Sequence, residues 1–353
     1  MYRIHKLLAS WIVILLTLHF TLLVLKYAQI SLISGYEFVK PTLEVAYIAG
    51  RMGLILLVLI TVWTMYFRIP YRRFVLAMRV LGLSVFLGTF HALTIPGSDL
   101  RKNIPLLIYI AGLTGAAAAV YVYRSLLHKR AAKEATYEIT KVQVRQNITD
   151  VHLRPLGQPL QRYAGQFAFI RFDDPLIDNE SHPFTISAGS SERNLRFCIK
   201  GLGDFTTSIQ SVKPGTKVFV DAPYGNFSFT KIPSQRQVWI AGGIGITPVL
   251  SMAASLPPSG YQVDLFYCVR TKQEAIFFEE LQQVAQKITG LTITLVASDA
   301  DGEITTDRIL ASTSKDAAFL LCGPVGMMKS LERQLLQRNI KQSKINYEEF
   351  SLS

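Results

Sequence analysis

Cysteine is scarce in this chain. Three occur in 353 residues (Cys198, Cys268 and Cys322), an odd number with none before residue 190, and that excludes a disulfide framework. Internal repeats and low-complexity tracts are absent, which removes repeat arrays. No small-residue cleavage pattern follows the first apolar run, so that run does not read as a secretory signal. Acidic residues are also in deficit: 25 Asp and Glu stand against 37 Lys and Arg, for a net charge of +12.

What is abundant is apolar sequence. Half of the residues are hydrophobic, and they concentrate in the first 125. Four runs, residues 7–27, 45–67, 74–93 and 104–123, each approach the ~20 residues a helix needs to cross a bilayer. Basic residues flank them unevenly. Arg3 and Lys6 precede the first run, Arg68, Arg72 and Arg73 separate the second from the third, and Arg124, Lys129 and Arg130 follow the fourth. If the runs alternate across a membrane, all three clusters fall on one side, which is then cytoplasmic. Arg101 and Lys102 in the loop 95–103 dissent mildly. The excess positive charge thus calls for membrane orientation and no nucleic acid.

After a short basic linker the texture changes. Residues 137–230 read as short alternating strands ("YEITKVQV", "FAFIRF", "KVFVDA") broken by Gly, Pro and Asp turns, the pattern of an antiparallel barrel. From Gln237 the order becomes strand, glycine turn, helix, strand, helix, which predicts a doubly wound parallel sheet. The expected organisation is a membrane helical bundle over 1–130, a β-barrel over 135–232 and an α/β domain over 233–353.

The glycine turn "AGGIGITP" (Ala241–Pro248) follows a strand and opens a helix. Gly242, Gly243 and Gly245 leave backbone N–H groups open to a phosphate, with Thr247 and Pro248 beginning the helix. "CGP" (Cys322, Gly323, Pro324) ends a later strand at the same carboxyl edge, where such sheets bind ligands. In the barrel stand "HPFTIS" (His182–Ser187) and "IKGLGDFTTSI" (Ile199–Ile209).

These four motifs, in this order, resemble the ferredoxin-NADP reductase superfamily, and more closely the dehydrogenase half of the NADPH oxidase and ferric reductase family. The resemblance covers about residues 135–350. It implies FAD in the barrel and NADPH in the α/β domain. Pro183 and Phe184 would pack against the flavin, Thr185 would hydrogen-bond its edge, and His182, Gly203 and Thr206 would hold the pyrophosphate. Ser187 and Lys200 belong to the same set; Cys322, with Gly323 and Pro324, would bind cofactor, and Cys322 and Phe350 are the catalytic candidates. "APYGNF" (Ala222–Phe227) resembles the family's Gly-Pro-Tyr-Gly turn, with Ala222 for the first glycine. "YEEF" (Tyr347–Phe350) resembles the closing segment, so Phe350 would cover the flavin face that nicotinamide must reach. Where an acidic residue would favour NADH, the second strand of the α/β domain ends in Arg270 and Lys272, which suit the 2′-phosphate of NADPH.

The family also assigns histidines to the helices. His5 and His19 are 14 residues apart, about 21 Å along a helix, and lie within ~40° of one face. Ionisable residues inside a span are functional candidates, and the resemblance implies two b-type hemes ligated from two helices. The partner of His19 would be His91. The position opposite His5 is Met78, where the family has histidine; methionine can also ligate iron, or simply pack. The chain has four spans where the family has six, either natively or because the sequence is trimmed. The expectation is an integral membrane protein that moves electrons from cytoplasmic NADPH through FAD and heme to oxygen or a ferric chelate. Against it stands a membrane-anchored NAD(P)H–flavin reductase that hands electrons to a partner protein or quinone.

Overall fold

The computed structural model describes residues 2–39, 44–67, 71–96, 102–123 and 134–348. The chain divides into two compact units, residues 1–131 and 132–352.

The first unit is helical. α1 (Tyr2–Ile30), α3 (Val45–Tyr66), α4 (Tyr71–Thr94) and α5 (Ile104–Val122) carry the four expected apolar runs. A short α2 (Leu32–Val39), which the apolar pattern did not announce, follows α1. Stretches of 24, 22, 19 and 19 residues in α1, α3, α4 and α5 are long and apolar enough to cross a membrane. α1 packs on α2 and α3, and the largest helix contact is α3 on α4. That contact is made by small residues. Ala46, Ala49 and Gly53 on α3, and Ala77 and Ser84 on α4, are buried. A Cβ on Gly53 would lie 3.1 Å from the Ser84 carbonyl oxygen. Small residues at such spacing let helix backbones approach where lipid offers no hydrophobic drive.

The second unit begins with a six-stranded antiparallel half-barrel: β1 (Ala135–Arg145), β2 (Ile148–Pro155), β3 (Phe167–Phe172), β4 (His182–Thr185), β5 (Leu195–Lys200) and β6 (Lys217–Tyr224). Their order is β4-β3-β6-β1-β2-β5. Alternation decides the faces: in "FAFIRF" Ala168, Ile170 and Phe172 are buried while the residues between them are not, as the period of two requires. Helix α6 (Asp204–Ser208) follows β5.

The α/β part follows directly, with β7 (Arg236–Gly242), α7 (Ile246–Ala253), β8 (Gln262–Val269), α8 (Phe278–Ala285) and β9 (Leu291–Ala297). Then come α9 (Ser298–Asp301), α10 (Thr306–Leu310), β10 (Ala318–Cys322), α11 (Val325–Gln337) and β11 (Ile345–Glu348). Its five strands are all parallel, in the order β11-β10-β7-β8-β9. Both faces are covered, so the central strands are apolar throughout rather than alternating: six of the seven residues of β7 are buried. Chain order reverses between β7 and β10. A crevice at their carboxyl ends is where a sheet of this kind takes its ligand.

Candidate functional site

Two glycine turns meet at that reversal. β7 ends in Gly242 and β10 in Cys322, with Gly323 just beyond, and the two strands run in register side by side. Gly245 abuts the second turn so closely that a Cβ there would stand 2.4 Å from the Cys322 carbonyl oxygen. Gly243 adopts φ +53°, in the left-handed region that favours glycine. Gly243 is the partly exposed member of the turn, with open space where a side chain would stand, whereas Gly242 is buried against Pro324 and Met327 and Gly245 against the Cys322 carbonyl.

Facing this edge is a cleft of about 260 Å³. Pro183, Phe184 and Thr185 enter it from β4, Lys200 from the end of β5, Thr206 from α6, Ile244 from the glycine turn and Thr247 from the first turn of α7. Thus the structure brings the barrel motifs and the first α/β motif to one place. Phe167 and Phe169 add an aromatic wall, with Tyr224 stacked on Phe167 at 5.8 Å and set edge-on to Phe169 at 5.4 Å. His182 lies at the margin, its ring stacked 3.7 Å from that of Phe205. Burial lowers its pKa against the opposing pull of Glu180 and Asp178, which favours the neutral imidazole.

One wall of the cleft is ionisable. Glu348, at the end of β11, lines it, and its Oε2 is buried with no hydrogen-bond partner. Burial pushes its carboxyl up to about 7. A carboxylic acid so placed can keep its proton near neutrality and donate a hydrogen bond to a bound group. Cys322, its register partner on β10, is fully buried, and burial pushes its thiol well above the ordinary cysteine range. Cys198, on β5, also lines the cleft and is held as a thiol by burial, pushed up to about 12. Sequence reasoning missed Glu348, Cys198 and the aromatic wall. "YEEF" held the signal for Glu348, but attention there fell on the terminal aromatic.

An FAD-binding domain model matches residues 133–228, and an oxidoreductase NAD-binding domain model matches 239–333. The chain is an NAD(P)H oxidoreductase. Flavohemoprotein A of Dictyostelium discoideum is 30% identical over 234 residues, covering 60% of this oxidoreductase and 58% of that protein. The carnitine monooxygenase reductase subunit of Escherichia coli (strain K12) is 31% identical over 144 residues, 40% of this chain and 43% of that one. The oxidoreductase therefore spans roughly half the length of these curated relatives. Among solved structures, the flavohem-like FAD/NAD-binding domain of nitric oxide dioxygenase from Vibrio cholerae superposes with TM-score 0.53 at 26% identity, over 61% of this chain and 98% of that one. Flavohemoglobin from Malassezia yamatoensis, with bound FAD and heme, gives TM-score 0.55 at 23% identity over 86% and 85%, a likeness of fold. These relatives are flavohemoproteins and reductase components, so the ground shared with the NADPH oxidase and ferric reductase resemblance is the FAD- and NAD-binding reductase architecture. The residues of the cleft fit FAD: an aromatic wall for a planar ring, Lys200 for negative charge, and an orphaned carboxyl oxygen on Glu348.

Other expected residues have their own neighbours. Ser187 is buried at a second cavity, of about 240 Å³, behind the cleft with His152, Arg196 and Glu280. The Thr206 hydroxyl, expected to hold pyrophosphate, accepts from the N–H groups of Leu202 and Gly203 at 2.8 and 3.0 Å, so Gly203 and Thr206 bind each other. Pro248 is buried within α7, and Pro324 caps α11. Arg270 and Lys272 are exposed beyond the end of β8, free to meet a solvent-borne phosphate. Phe350 and the side chain of His5 lie outside the described residues.

In the helical unit His19 stands on α1 and His91 on α4. His19 is exposed on α1. His91 turns onto α3: its Nδ1 donates to the Ala46 carbonyl at 2.8 Å, its ring meets Tyr47 edge-on, and a Cβ on Gly50 would stand 2.6 Å from it. Met78 is half-buried on α4. Among the described residues no cluster of three or more His, Cys, Asp or Glu side chains is poised for a metal.

Proposed function

We propose that this oxidoreductase is a membrane-anchored NAD(P)H–flavin reductase that passes electrons to a partner protein or a quinone at the membrane surface. The observation that carries the reading is the cleft at the β7–β10 reversal, where both barrel motifs, the glycine turn and Glu348 converge. FAD bound there would accept a hydride from nicotinamide and release electrons one at a time. The chain's own groups have simpler tasks. Phe167, Phe169 and Phe184 give an apolar bed, and Thr185 and Lys200 supply donors. Glu348 holds a proton at the wall of the cleft, and the glycine turn before α7 would meet the dinucleotide phosphates. Arg270 and Lys272 would select the 2′-phosphate of NADPH. The four apolar helices act as the anchor, with the basic clusters and the reductase unit on the cytoplasmic side. The reductase subunits among its relatives support a protein acceptor.

A second reading rests on His91. With Nδ1 bound to a carbonyl, Nε2 is the nitrogen left for a ligand, the tautomer that metal-bound histidines adopt. That would allow heme in the helices and transmembrane transfer to oxygen or a ferric chelate. A visible spectrum and pyridine hemochrome assay of detergent-purified protein separates the two. Flavin bands alone, with rapid NADPH-dependent reduction of a soluble quinone, are the expected result. Stoichiometric low-spin b-type heme would overturn it in favour of the second reading.

A further inference from the structure

The stretch from Arg270 to Glu280 links the end of β8 to the first turn of α8 and carries both basic residues assigned to the nucleotide. Its backbone begins well held: the Arg270 carbonyl accepts from the Asp299 N–H at 3.0 Å. Local turns fold the stretch, with the Glu274 N–H donating to the Thr271 carbonyl and the Ala275 N–H to that of Lys272, and two further ties reach it from the half-barrel. Gln146, in the β1–β2 turn at φ +54°, donates from Nε2 to the Gln273 carbonyl at 2.7 Å. Arg196, on β5, forks onto Glu280, with Nη1 donating to Oε1 and Nη2 to Oε2 at 3.0 Å. The same guanidinium forks onto Asp150, from Nε to Oδ1 at 2.8 Å and from Nη2 to Oδ2 at 2.7 Å. It also lies over the ring of the fully buried Phe277, 5.6 Å from its centroid.

The two carboxylates are not equivalent. Asp150 is 4% exposed on the barrel strand beside Arg196, whereas Glu280 is 39% exposed and belongs to the α/β part. Burial alone would raise the Asp150 pKa, but hydrogen bonds with His152 and Arg196 outweigh it and hold the carboxyl well below the usual range. Burial likewise works against the Arg196 charge and is outweighed by Asp150 and Glu280, leaving its pKa raised. Asp150 thus fixes the guanidinium, and the guanidinium fixes Glu280. The planar fork matters here, because an ammonium offers no bidentate geometry.

We infer that Arg196 is a positioning residue for nucleotide selection: through Glu280 it ties the Arg270–Glu280 stretch to the FAD barrel and so sets where Arg270 and Lys272 stand relative to the cleft. The inference rests on Arg270 reading the 2′-phosphate. A loosened tie then weakens NADPH more than NADH, because only NADPH depends on those two cations. A purely structural role would weaken both nucleotides alike.

The test is a double-mutant cycle on the full-length protein, read as KM for NADPH and for NADH with ferricyanide as acceptor. Arg196→Ala would strip buried Asp150 of its closest cation and risk misfolding, so Glu280→Gln and Arg196→Lys are used. Each should raise KM for NADPH about two- to fivefold, the range of a half-exposed ion pair, with KM for NADH and kcat little changed. In an Arg270→Ala background Glu280→Gln should add clearly less, since only Lys272 is then left to displace and residues acting through one another are non-additive. Equal shifts for both nucleotides, or the same shift with and without Arg270, would overturn the inference. A silent Glu280→Gln beside an active Arg270→Ala overturns the tie and leaves Arg270 in its role. A silent Arg270→Ala removes that role and the inference with it.

Discussion

The two units are held together by opposite means. The reductase unit has apolar cores on both sides of its sheet, a filled half-barrel and buried ion pairs such as Arg196 with Asp150. The helical unit buries little beyond small residues along α3 and α4, and turns large side chains such as Trp11, Leu15, Ile55 and Phe86 outward. In water the second arrangement would be unstable, since an exposed apolar surface of this extent needs a cover. In lipid it is self-consistent, because there the outward side chains are solvated and close backbone approach supplies the contacts. Function divides the same way. Perturbed titratable groups, an aromatic wall and the two glycine turns gather in the reductase unit, at or beside strand ends.

The comparison breaks most sharply at Gly245. Any side chain there collides with the Cys322 carbonyl and separates the two glycine turns. Gly245→Val should cut NADPH-dependent ferricyanide reduction by at least about 100-fold, the cost of misplacing reacting groups by an ångström. Far-UV circular dichroism of the helical unit should not change. Near-normal activity would mean that the β7–β10 junction is not where the chemistry occurs.

A smaller effect tests whether the cleft is as sheltered as its neighbours. The Glu348 carboxyl sits at about 7 when folded, against an ordinary 4.5. Folding therefore favours the protonated form, and stability should fall as pH rises from about 4.5 to about 7 before levelling. The full loss is about 3 kcal/mol at 1.36 kcal/mol per unit. Glu348→Gln should remove this slope from denaturant titrations of flavin-stripped protein and leave it more stable than wild type at pH 8. Parallel pH profiles for the two proteins would place the carboxyl in water.

How far the sequence anticipated these units follows from what each property depends on. The four long helices were legible because length and unbroken apolarity determine them locally. The strand–glycine–helix order was legible because a buried parallel sheet demands apolar runs punctuated at fixed points. Short α2 carries no such signal. Nor does the engagement of Thr206 with the N–H groups of Leu202 and Gly203, a matter of turn geometry rather than residue type. Glu348, Cys198 and Arg196 acquire their character from neighbours distant in the chain: 46 residues separate Arg196 from Asp150 and 84 separate it from Glu280. The surroundings of His91 have the same origin. Helical phase put His5 and His19 on one face, but the orientation of His91 is decided by the bulk that Gly50 lacks on α3.

The smallest expected effect lies in that last contact, and it decides how the helical unit is to be understood. His91 contributes one hydrogen bond to the Ala46 carbonyl and an edge contact to Tyr47. Interhelical side-chain hydrogen bonds in membrane proteins average ≈ 0.6 kcal/mol, because the unfolded helices also find partners. His91→Ala should therefore destabilise the α3–α4 pair by about that amount, measured by reversible unfolding in mixed micelles. NADPH-dependent reduction of ferricyanide, an acceptor that takes electrons directly at the reductase unit, should be unaffected. An anchor tolerates such a change. A redox conduit does not: if the ring holds a metal through Nε2, the same substitution would abolish a heme band and, with it, any transfer across the bilayer in reconstituted vesicles. A loss of several kcal/mol together with a lost chromophore would end the contrast drawn between the units and make the helices part of the electron path.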